Sequence, residues 1–214
     1  MIYRFIIASI FLGGLIFFNS CKNEPDKKVE KKETSTAIKS AVEDNHNDEY
    51  IQDYIKKGVA IAKASGKTLK GKLTAAVEKG GLQNGINTCN KIAQNLMDSL
   101  SNAYETKIKR TSLKLRNPKD KPDQDEMDIL IAFEKEVKAG NKLKPTAKKL
   151  ENGDIRVYIP IFVDKVCLNC HGKIGQELKP ANYSLIKKHY PNDEAINYSE
   201  GDLRGMWSIT FDEK

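Results

Sequence analysis

The chain reads as an α+β domain: an antiparallel sheet with N-terminal helices and further helices inserted among the strands. Three observations point there. Apolar residues recur at intervals of three and four through residues 50–104, as amphipathic helices require. A strand, an Asn-Gly turn and a second strand follow at 146–163, the pattern of a β-hairpin. No βαβ alternation, internal repeat or phosphate loop is present, which leaves helices packed beside an antiparallel sheet.

The elements follow in order. A first helix covers residues 50–78, with Ile51, Tyr54, Ile55, Val59, Leu69, Leu73, Ala76 and Val77 at apolar positions; Gly80-Gly81 stops it. A second covers 85–104, where Ile86, Cys89, Ile92, Ala93 and Leu96 share a stripe, so Cys89 is expected on the buried side. Residues 107–115 alternate as a strand and end at the turn-rich Asn117-Pro118-Lys119-Asp120-Lys121-Pro122. Residues 126–138 are helical and stop at Gly140. The hairpin strands are 146–150 and 155–163. Pro160 has no N–H to donate, so its strand is expected at an edge or to end in a bulge. A short helix at 183–189 and a strand at 203–211 complete the domain, with Trp207, Ile209 and Phe211 opposite Met206, Ser208 and Thr210.

With 214 residues, a formal net charge of +7, 39% AVILMFWYC and 30% charged residues, the chain has room for one domain with extras. That balance excludes a polytopic membrane protein and a collagen-like or wholly disordered chain. Four cysteines, only two of them closely spaced, make no disulfide scaffold.

The N-terminus is an address. Arg4 precedes an apolar run from Phe5 to Phe18, interrupted by Ser9 and two glycines. At ~1.5 Å per residue the run spans roughly 21 Å, short of the ~30 Å hydrocarbon core, so residues 1–20 read as a secretory signal. It ends at Ser20-Cys21, similar to a bacterial lipobox in which the cysteine becomes the lipid-modified first residue; Phe18 and Asn19 depart from the usual pattern. The alternative is an uncleaved anchor. Both export the remainder and tether it to a membrane, facing the periplasm or the cell exterior. Residues 21–49 are then the lipidated cysteine and its tether. Residues 22–49 carry a net charge of −2 and no aromatic side chain, so disorder is expected. Residues 50–214 carry +8, spread along the domain, which fits a solvated basic surface rather than nucleic-acid binding.

The chemistry sits at Cys167-Leu168-Asn169-Cys170-His171. Thiols at i and i+3 reach both vinyl groups of one haem, and a histidine directly after the second can coordinate its iron. Chance occurrence on this composition is roughly one in a thousand. Export agrees, because c-type haem is attached outside the cytoplasm. A thioredoxin-like redox pair needs a βαβ context that is missing. Zinc is the chemical rival, since Cys89, Cys167, Cys170 and His171 make a Cys₃His donor set. Structural zinc ligands, however, come as two paired knuckles, and Cys89 stands alone on a helix. By spacing alone Cys89 reads as an inert buried thiol.

Four blocks add a resemblance. They are Gly85-Ile86-Asn87-Thr88-Cys89 with Ile92-Ala93, then Arg110 through Pro118 followed by Pro122 and Glu126. The third is Tyr158-Ile159-Pro160-Ile161 leading to the Cys167–Gly172 motif; the fourth is Tyr190 through Ala195, then Tyr198, Gly201-Asp202 and Arg204-Gly205. Together they resemble the single-haem c-type domain family with a PAS-like fold, a bacterial domain of unknown function often attached to histidine kinases. The resemblance implies one covalent haem c, held by Cys167 and Cys170, with His171 as proximal and Cys89 as distal iron ligand. It makes Arg110, Arg116 and Arg204 candidates for the haem propionates, against ordinary structural ion pairs. Asn197 departs from it, standing where the family commonly has glycine. Tyr198 and Asp202 are expected to organise turns, and His189 to be a surface or satisfied polar histidine; His46 lies in the tether.

His/Cys ligation limits the function. A thiolate stabilises Fe(III) and lowers the reduction potential, and its formation costs a proton. The expected role is a redox or gas sensor, or ligand-binding module, with output through a separate signalling protein. A periplasmic electron carrier serving a redox partner and a zinc-stabilised binding domain are the alternatives. No acid–base pair or activated nucleophile stands out, so catalysis is not expected.

Overall fold

A computed structural model describes the backbone of residues 33–213 and the side chains of residues 48–213. The signal segment and Cys21 lie outside the described residues. The chain divides into two units, residues 1–41 and 42–214.

Helix α1 spans Glu33–Tyr104 and is broken at Gly80 and Gly81, whose φ/ψ values are non-helical. The two expected helices are therefore the two arms of this element. Gly81 has φ +71, a left-handed conformation that glycine adopts without a side-chain penalty. The Asn84 amide donates to the Ala76 carbonyl at 2.7 Å, capping the end of the first arm. The helix begins at Glu33, inside the stretch whose composition predicts disorder. No Gly or Pro falls between Pro25 and Gly58, so nothing local breaks it.

Four antiparallel strands follow: β1 (Lys107–Thr111), β2 (Thr146–Lys149), β3 (Ile155–Phe162) and β4 (Leu203–Phe211), in sheet order β1-β4-β3-β2. Helix α2 (Gln124–Lys138) is inserted after β1; α3 (Leu168–His171) and α4 (Pro180–His189) lie between β3 and β4. The class is α+β, as expected. Alternation along the strands gives the sheet two covered faces. Ile108, Trp207 and Ile209 pack with Ala62 and Met97 of α1, while Tyr158 and Met206 pack with Leu130 and Phe133 of α2. Val157 and Ile209 are 0% exposed, each worth about 1.5–3 kcal/mol of apolar burial.

Two expectations change, and the alternative left open at Pro160 resolves to the bulge. The strand predicted over 107–115 stops at Thr111, because Ser112 leaves the ladder: its hydroxyl donates to the Arg204 carbonyl at 2.7 Å and accepts the Lys114 N–H. A Cβ on Gly205 would lie 2.3 Å from the Thr111 carbonyl, so only glycine permits this approach of β1 and β4. Helix α2 starts at Gln124 rather than 126. Asp123 accepts the Glu126 N–H at 2.9 Å and Glu126 accepts the Asp123 N–H at 3.0 Å, a reciprocal capping box. Finally, β3 is an interior strand, but β2 pairs with it only as far as Tyr158. Pro160 therefore sits where β3 has no β2 partner, and the register shifts at Ile161/Phe162.

Candidate functional site

After β3 the chain enters a 3₁₀ turn (Lys165–Cys167) that runs directly into α3. Cys167 and Cys170 thus lie one turn apart, and both are free thiols, as is Cys89. Leu168, between them, anchors the turn in a cluster with Val163, Ala195 and Tyr198. Cys170 packs on the other side, against Ile86, Leu178 and Ile186. Ile86 lies one turn before Cys89 on α1, so that cluster brings the thiol pair to the arm carrying the third thiol.

His171 is fixed by the segment that follows α4. Its Nδ1 lies 2.7 Å from the Ala195 carbonyl oxygen. A carbonyl only accepts, so Nδ1 carries the proton and Nε2 presents its lone pair. Backbone bonds from Tyr198 N to His171 O (3.0 Å) and from Asn197 N to Gly172 O (3.1 Å) zip the two segments together. Burial, then the guanidiniums of Arg116 and Arg204, hold the imidazole well below the usual histidine range, against the Ala195 carbonyl; Arg110 adds to the lowering. The ring is neutral at pH 7. That is the state a metal ligand needs.

The three arginines differ. Arg116 is consumed by the protein: Nε and Nη2 bond both Asp193 carboxylate oxygens (3.0 and 3.1 Å), and Nη2 also reaches the carbonyls of Cys170 (2.7 Å) and Ala195 (3.2 Å). It makes the structural ion pair rather than offering a free guanidinium. Arg204 donates to the Ser112 hydroxyl and the Lys114 carbonyl and lies over the Tyr198 ring. Arg110 lies over Trp207, and its Nε is buried with no partner. Neither Arg110 nor Arg204 has a carboxylate partner among the described residues.

Cys89 is half-buried. Burial pushes its thiol up, while Arg110 and Arg116 pull it down. Cys170 is raised by burial, lowered by Arg116 and raised again by Cys89. Among the described residues no three His, Cys, Asp or Glu side chains form a group able to hold a metal ion. The compact tetrahedral zinc site drawn from Cys89, Cys167, Cys170 and His171 is therefore not assembled.

Residues 23–211 match the family model described as Tll0287-like. The chain belongs to the Tll0287-like family. One solved structure, titled "Crystal structure of the cyanobacterial heme-protein Tll0287", matches this fold with a TM-score of 0.52 and 22% sequence identity. The match covers 72% of this chain and 94% of that one. No curated protein matches the chain.

In this Tll0287-like domain several residues matter that sequence reasoning left in the background. Asp193 and the Ala195 carbonyl hold Arg116 and His171. Tyr198 does more than organise a turn: its ring meets His171 edge-on at 6.3 Å and lies beneath Lys114 and Arg204. Asp202 does cap a turn, accepting the Ser199 N–H at 2.7 Å. Asn197, the departure from glycine, has φ +63, a conformation that asparagine tolerates better than most side chains.

Proposed function

We propose that this domain binds one haem c covalently through Cys167 and Cys170, with His171 and Cys89 as the side chains that would hold its iron, and acts as a redox or gas sensor. The observation that carries the reading is the proximal arrangement: two free thiols one turn apart, then an imidazole whose Nδ1 is committed to the Ala195 carbonyl. The donor set fits the group. The orphaned Arg110 Nε and the acid-free Arg204 supply positive charge suited to two propionates.

Haem held here would supply a one-electron Fe(III)/Fe(II) couple and a metal centre able to take a diatomic gas. His171 stays in place, tethered by Ala195 and Tyr198. Cys89 would hold the iron from the α1 arm; burial disfavours its thiolate, while Arg110 and Arg116 favour it. Export and a lipid on Cys21 would hold the domain at a membrane, facing the periplasm or cell exterior, where a separate signalling protein reads its state. No described helix is long and apolar enough to cross a membrane.

A second reading, an electron carrier, draws on Val166 and Ile174, which flank the motif and are exposed beside Lys165 and Lys173. Such an apolar patch with basic neighbours suits brief docking of a redox partner.

The test is the mass of the mature protein co-expressed with haem-maturation machinery. One covalent haem is expected in the wild type and none in Cys167→Ser/Cys170→Ser. Haem retained by that double variant would sink the attachment, and carbon monoxide ignored by the reduced protein would sink the gas-sensing role.

A further inference from the structure

His189, on the last turn of α4, grips the Cys89 arm of α1. Its Nε2 lies 2.6 Å from Asn87 Oδ1, and its Nδ1 lies 3.4 Å from Asn90 Nδ2. The amide oxygen accepts and the amide nitrogen donates, so this is the Nε2–H imidazole with both ring nitrogens occupied. Next to it, Tyr190 packs in the Ile86, Cys170 and Ile186 cluster, and the charge of Cys89 is felt at the Tyr190 hydroxyl.

At roughly 100° per residue, Ile86 and Cys89 lie about 60° apart on the helix, while Asn87 and Asn90 occupy the adjoining flank. A bond on that flank sets how far the arm is rotated about its own axis, and hence where the Cys89 sulfur points. The restraint adds to the apolar packing of Ile86, because the arm leaves a non-helical break at Gly80 and Gly81 and is not in register with the helix before it. The same short segment continues into the proximal side. Asp193 N bonds the Tyr190 carbonyl at 3.0 Å, Asp193 holds Arg116, and Arg116 reaches the carbonyls of Cys170 and Ala195. Ala195 in turn holds His171.

We infer that His189 is a positioning residue for Cys89, and that residues 189–195 form one brace linking the distal thiol to the proximal histidine. The inference rests on the ligand reading above. It adds a residue outside the proposed donor set that sets whether the thiol can reach the metal.

The test uses the full mature haem-loaded protein with His189→Phe, which removes both bonds, and His189→Gln, which can both donate and accept. Two quantities are read: the ferric absorption spectrum, and the rate at which iodoacetamide alkylates Cys89, followed by mass spectrometry. Loss of about one net hydrogen bond predicts roughly fivefold faster alkylation in His189→Phe, with a reduced thiolate signature. His189→Gln should stay within about twofold of wild type at an equal melting temperature. Equal alkylation rates in all three proteins would overturn the proposal. So would equal acceleration in both variants with a matching fall in melting temperature, which marks a merely structural role. A wild-type spectrum without thiolate ligation would overturn the ligand reading itself, whatever the variants do.

Discussion

The proximal and distal sides of the site are built differently. His171 sits on a short helix whose backbone is zipped to residues 195–198, with Arg116 and Asp193 buried behind it. Cys89 sits midway along a long helical arm that begins at a glycine break and is held from the side by two hydrogen bonds to His189. One candidate ligand is fixed by a dense polar network; the other rides on an arm held mainly by apolar packing through Ile86 and Met97. Under the proposed ligation, that asymmetry makes Cys89 rather than His171 the ligand expected to leave.

The contrast breaks most severely at Arg116. Arg116→Ala strands the fully buried Asp193 carboxylate and should cost about 3–5 kcal/mol, read by urea unfolding. An effect below about 1 kcal/mol would mean the network is not what fixes the proximal side. Acid should act on the same side. The imidazole of His171 is held neutral in the fold and protonates more readily once unfolded, so the unfolded chain binds more protons. Haem-free protein should therefore lose stability as pH falls below about 6.5 and be level above it, in denaturation series from pH 5.5 to 7.5. His171→Asn should flatten that slope.

Distal changes should be smaller. Gly81→Ala places a side chain at φ +71 and should cost about 1–2 kcal/mol, leaving haem attachment intact. Asn84→Ala removes the amide cap on Ala76 and should cost about 1 kcal/mol by thermal melting. Smallest of all, and on the proximal side, Asn197→Gly should move stability by only a few tenths, because the backbone there already adopts the conformation glycine favours.

Much of this was legible in the chain. The Gly80-Gly81 break, the hairpin about Asn152-Gly153 and the final strand carry strong local signals, and the structure places them within a few residues of expectation. The earlier start of α2 was legible too, since Asp123 and Glu126 spell a capping box. What the chain did not disclose are contacts made by backbone atoms. The Ala195 carbonyl that fixes the His171 tautomer leaves no trace in residue type, because every residue offers that carbonyl. Arg116 and Arg204 look alike in sequence; only the fold brings Asp193 to one and leaves the other without an acid. His189 reads in sequence as either a surface or a satisfied polar histidine; its partners Asn87 and Asn90 lie about a hundred residues away.

The central claim is that Cys89 supplies the second iron ligand opposite His171. The most direct measurement is the ferric and ferrous absorption spectrum of the mature haem-loaded protein beside Cys89→Ser. A thiolate-ligated ferric spectrum that the variant loses, while keeping its covalent haem, is the predicted result. An unchanged ferric spectrum in Cys89→Ser would contradict it.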